Sequence, residues 1–179
     1  MADSKCAGSP SFEYQKDEIK KPLTERSLKK NAKMLREKQL EIHIDQVCML
    51  EEGEDTAAVS MLKKPDSVII KITGWSVLRG ADNCHYKRSL ILEETEGRKI
   101  YTTEIMPCLR EDVEKLYEDM GKIDVGKGVW KEKRIALSGM VARFELKALQ
   151  GNSYRIGVLY EDMLTDQMYY RMLEERIEI

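Results

Sequence analysis

The sequence predicts a mostly β protein: an antiparallel β-sandwich of immunoglobulin-like build, with one crossover helix and a basic helix ahead of it. Three observations carry that expectation. From Leu40 onward, apolar residues recur every second position in run after run. Short Gly-, Asn- and Ser-containing turns separate those runs. Only one segment beyond residue 40 switches to helical spacing. About seven or eight short strands with tight connections is the pattern of a sandwich.

Residues 1–22 are rich in Ser, Lys, Gly and Pro and lack periodicity, so they are expected to be a disordered tail. Thr24 is a plausible N-cap for a helix within 23–39, where Leu28, Ala32 and Leu35 recur at helical spacing. Its other faces carry Arg26, Lys29, Lys30, Lys33, Arg36 and Lys38. So short a helix is marginal alone and must dock on something. The period changes at Leu40, where Leu40, Ile42, Ile44, Cys48 and Leu50 alternate with polar neighbours. A continued helix is the alternative, since Leu28, Leu35, Ile42 and Met49 lie seven apart. The β-branched run Ile42-His-Ile-Asp-Gln-Val47 favours a strand.

The run from Ser67 to Leu78 reads as a buried strand. Arg88–Glu93 and Lys99–Ile105 form a hairpin around Gly97. Pro107 opens the crossover helix, whose apolar face is Leu109, Val113, Leu116 and Met120 and whose end is marked by Gly121. Strands follow at 134–138, 141–147, 154–160 and about 169–179, with Gly151-Asn152-Ser153 as a tight link. The expected organisation is a tail (1–22), a basic helix (23–39) and one sandwich domain (40–179).

Charge is uneven along the chain. The formal net charge is −2, yet residues 16–38 hold nine Lys/Arg against four Asp/Glu. No apolar run follows Met1, so neither a signal peptide nor a transmembrane segment is expected, which points to a cytoplasmic protein. Cys6, Cys48, Cys84 and Cys108 lack metal-ligand or redox spacing and read as reduced thiols.

The motifs that carry chemistry are weak. Gly121-Lys-Ile-Asp-Val-Gly-Lys127-Gly128 imitates a phosphate-binding loop but lacks the hydroxyl residue that would hold magnesium, and its flanks are in the wrong order. Cys84-His85 lacks a third orienting group, and His43 sits on the polar side of a strand. No Cys/His set suits zinc, and no cofactor is expected. The acidic pairs, Glu93-Glu94 among them, read as solvated surface. No aromatic residue interrupts the lysines of the basic helix, which argues against nucleic acid. Tyr154, Tyr160, Tyr169 and Tyr170 fall in the last strands, where such rings serve core packing more often than sugar stacking.

Four segments share an order with a known module. They are Ile70-Lys-Ile-Thr-Gly74-Trp75-Ser-Val-Leu78-Arg-Gly80, Arg110-Glu111-Asp112-Val113, Ser138-Gly139-Met140-Val141-Ala142, and Leu149-Gln-Gly151-Asn-Ser-Tyr154-Arg-Ile156-Gly. Over residues 40–179 the chain resembles the accessory β-sandwich modules attached to bacterial glycosyltransferases and glycerophosphotransferases of capsule and teichoic-acid synthesis. Met140 stands where the pattern has Phe, and Ser76 where it has Ala. No glycosyltransferase domain accompanies the module in this chain. The resemblance implies a non-catalytic module that contacts glycan or a partner protein, with Trp75, Arg110, Asp112 and Tyr154 as candidate ligand or structural residues. Trp75 is expected between the sheets. Arg110 and Asp112 are expected to fasten a crossover loop separately, because residues two apart do not face each other on a helix. Two other expectations stand beside this one: a self-associating module with a helix seam through Leu28 and Leu35, and an enzyme with an unrecognised carboxylate site.

Overall fold

The computed structural model describes residues 24–51, 68–120 and 135–179. Among them, nine strands form two sheets that pack as a sandwich. Helix α1 (Glu25–Asn31) leads into β1 (Ala32–Met34), β2 (Leu40–Glu51), β3 (Val68–Leu78), β4 (Tyr86–Glu94), β5 (Ile100–Glu104) and β6 (Met106–Cys108). Helix α2 (Glu111–Asp119), β7 (Gly139–Glu145), β8 (Ser153–Asp162) and β9 (Met168–Glu178) complete the chain. One sheet runs β1-β9-β8-β4-β5 and the other β2-β3-β7-β6. Every strand pair is antiparallel except β1 with β9.

Alternation produces the core, as the sequence leads one to expect. Ile70 and Ile72 of β3, Leu90 and Leu92 of β4, Met140 of β7, and Tyr154, Val158 and Tyr160 of β8 are all buried between the sheets. Gly74 lets β2 and β3 approach, since a Cβ there would strike the carbonyl of His43.

Alternate residues on the same strands point outward, and each outer face carries a helix. On the five-stranded sheet Ile91, Ile100, Leu159 and Tyr170 receive Leu28 and Ala32. On the four-stranded sheet Val77 and Trp75 receive Val113 and Tyr117, with Ile135 alongside. Trp75 therefore lies on the outer face and not between the sheets, because it shares the parity of Val77 and not that of Ile72.

Three further expectations need correction. The helix around Thr24 is one segment shorter than its periodicity, because Ala32–Met34 extends to pair with β9. Thr24 does cap it, its hydroxyl accepting from the Ser27 amide. Pro107 does not open a helix; it sits in β6, an edge strand where a missing N–H is tolerated. The strand expected at 134–138 is a turn over the described residues 135–138. There Ser76 donates its backbone N–H to the Ser138 carbonyl, and Arg88 holds the turn from inside. The 1–22 tail and the Gly121–Gly128 loop lie outside the described residues. No helix among the described residues is long and apolar enough to cross a membrane.

Candidate functional site

A groove of about 730 Å³ lies on the outer face of the five-stranded sheet, beside α1. Its formation follows from chain order. β1 pairs with β9 for only three residues, and the chain then turns at Leu35 toward the other sheet. β9 continues past that departure, so Leu173–Glu175 and the Met34–Glu37 turn become opposite lips.

The floor holds Glu93 and Arg155, opposite each other on β4 and β8. Glu93 is only 7% exposed. Arg155 donates Nε to Glu93 Oε2 at 2.9 Å and reaches the same oxygen through Nη2. On the α1 wall Glu25 pairs with Lys29 one helical turn on. The hydrogen bond with Lys29 lowers the Glu25 carboxyl below its ordinary value and raises the Lys29 ammonium in return. Arg36, Arg171, Glu174 and Glu175 add planar polar groups, and Ile100, Tyr170 and Met172 add apolar surface. A concave site with an apolar bed and a few directed polar groups is the usual build of a small-ligand site.

The sequence candidates are distributed differently. Arg110 and Asp112 do meet. Arg110 Nε and Nη2 donate to the two carboxylate oxygens of Asp112 at 2.8 Å each, and Nη1 donates to Asp45 at 2.6 Å. The reach is open because Arg110 is the non-helical residue before the helix (φ −137°, ψ 76°), so helical geometry does not separate the two side chains. The paired guanidinium holds the Asp112 carboxyl down at about 2. His43 extends this cluster, stacking on Trp75 at 5.8 Å and lying 3.6 Å from Asp45. Trp75 meets Tyr117 edge-on. The cluster fastens α2 to β2 and β3 on the sheet opposite the groove.

Tyr154 is fully buried, its hydroxyl donating to the Gly151 carbonyl and accepting from the Gly151 amide, so it closes the β7–β8 link from inside the core. Leu28 and Leu35 are 4% and 8% exposed and belong to different clusters, Leu28 under α1 and Leu35 between the sheets. Their surface is spent within the chain. Cys48, Cys84 and Cys108 are half-buried. Asp82 caps a 3-10 turn at Asn83–His85 through the Cys84 amide.

Two polar groups escaped the sequence reading. Glu93 was read as solvated, yet it is buried in the groove floor. Arg88 lies between the sheets, donating to the carbonyls of Leu137, Ser138 and Gly139 and to Ser76 Oγ. Tyr160 shares a 2.9 Å hydrogen bond with Ser76, and burial pushes its phenol up. Their phase was the available signal: Arg88 alternates with Leu90 and Leu92, while Glu93 alternates with Ile91 under α1.

Comparison of the chain with family models, with curated proteins and with solved structures gives no match.

Proposed function

We propose that this chain is a non-catalytic binding module of cell-envelope polysaccharide synthesis that holds a glycan in the groove beside α1. The observation that carries the reading is the Glu93–Arg155 pair in the floor. Burying the Glu93 carboxylate is costly even with Arg155 beside it, whose side chain stays 41% exposed, and an apolar residue at position 93 would have served packing beneath α1 as well. Carboxylates and guanidiniums are also the planar groups that take vicinal hydroxyls two at a time, while the half-buried Met172 offers apolar surface to sugar C–H faces. The ordered motifs around Trp75, Arg110, Ser138 and Tyr154 supply the link to envelope glycans.

Calorimetric titration of the full chain with capsule- and teichoic-type oligosaccharides tests this. Binding that Arg155→Ala weakens at least about tenfold is expected. Absence of binding to every glycan at millimolar concentration rejects it.

The convergence of Glu25, Glu93, Glu174 and Glu175 on one groove favours a second reading, a carboxylate enzyme acting on the same ligand class. Shortening of the oligosaccharide on prolonged incubation with wild type, absent with Glu93→Gln, would establish it.

A further inference from the structure

The two helices carry opposite charge on opposite sides of the molecule. From Glu25 to Lys38 there are six Lys/Arg against two Glu. Arg26, Lys30, Lys33 and Lys38 are exposed there and make no ion pair with any described residue. Helix α2 is the reverse, with five acidic residues against Lys115 alone. Glu111, Glu118 and Asp119 are exposed and likewise make no ion pair with a described residue.

The arrangement works against the stability of α2 itself. Glu118 and Asp119 stand at its C-terminal end, where carbonyl dipoles favour cations, and no basic residue is present in that turn. The helix also exposes Leu116 at 42% and Met120 at 51%, with Leu109 ahead of it at 65%. Met34 is similarly bare in the basic segment. Because α1 covers the outer face of one sheet and α2 that of the other, roughly 30 Å of folded chain separates them. Among the described residues, one molecule cannot bring its own α1 and α2 faces together.

We propose that copies of this chain associate head to tail, the acidic, leucine-bearing face of α2 on one docking against the basic α1–β1 face of the next. The occupant is a second copy because the two surfaces are opposite in net charge, +4 over residues 25–38 against −3 over residues 110–119, and each carries exposed apolar side chains to be covered. Such a contact is heterologous, so it builds a ring or an open chain and not a twofold dimer. It does not depend on the groove having a ligand.

Light scattering on the full chain, with charge-swapped variants, tests the contact. At about 50 mM salt the wild-type mass is expected to rise with concentration above the 20.7 kDa of one chain, and to fall back to it at about 500 mM. Lys30→Glu/Lys33→Glu and Glu118→Lys/Asp119→Lys are each expected to stay monomeric alone. Mixed in equal amounts they are expected to associate again, since each then supplies the face the other has lost. Circular dichroism confirms that both variants are folded before mixing; the milder Lys30→Gln/Lys33→Gln, expected to weaken association at least about fivefold, replaces a variant that is not. A wild type that is monomeric at low salt, or a mixture of folded variants that stays monomeric, overturns the proposal.

Discussion

Arg88 is the residue on which the two sheets depend most directly. Its guanidinium leaves β4 of one sheet and ends on three backbone carbonyls at the entrance to β7 of the other. Arg88→Met would keep the apolar stem but remove these donations, leaving the Ser138 carbonyl only the Ser76 amide. A loss of about 3 kcal/mol is expected from urea unfolding. Asp112 permits a test by pH. Its carboxyl is held at about 2 by the Arg110 fork, against 3.8 ordinarily. A depressed carboxyl stabilises the fold fully above its unfolded value and loses that contribution as pH falls through the folded one. The melting-temperature gap between wild type and Asp112→Asn should therefore be constant above about pH 5 and close between about pH 4 and pH 2. A gap that persists at pH 2 would mean that the ion pair is not what Asp112 contributes. Arg88 was legible only as an in-phase charge in a strand. Nothing local says that a turn fifty residues away will present carbonyls to it.

Elements came through the sequence with uneven fidelity, for reasons that can be named. Strands β2, β3, β4 and β8 were readable because alternation reports a face covered on one side. The two helices were readable as helices but not in their orientation. The apolar stripe of α2 suggests Leu109, Val113, Leu116 and Met120 as the buried face, whereas the sheet takes only Val113 and Tyr117. What decides this is Trp75, whose outward position leaves a slot that a valine and a tyrosine fill. Val113→Ala should then cost about 2 kcal/mol in urea unfolding, and Leu116→Ser should stay within about 0.5 kcal/mol. Equal costs at the two positions would show that α2 sits on its other face. Helix α1 ends early for a similar reason: Ala32–Met34 finds the edge of β9, and strand pairing outweighs a weak helical preference.

At the scale of the whole molecule, the two outer faces of the sandwich are built differently. The four-stranded sheet carries the aromatic and charged cluster that binds α2, where Trp75, Arg110 and Asp112 meet. The five-stranded sheet carries α1 and the groove, which Arg155 of the last motif lines but Trp75, Arg110, Asp112 and Tyr154 do not. Trp75, Arg110, Asp112 and Tyr154 mark places where folding is demanding: a helix attachment for the first three and a strand link for the last. The groove arises from topology: a three-residue strand that leaves its partner early exposes the floor beside it. The central claim, that this floor holds a glycan, is tested most directly by mapping backbone amide shifts as an envelope oligosaccharide is added. Shifts concentrated at Lys29, Arg36, Glu93, Arg155 and Met172, with the Arg110 cluster unmoved, are the predicted result. Shifts confined to the Trp75–Arg110 face, or none at millimolar glycan, would contradict it.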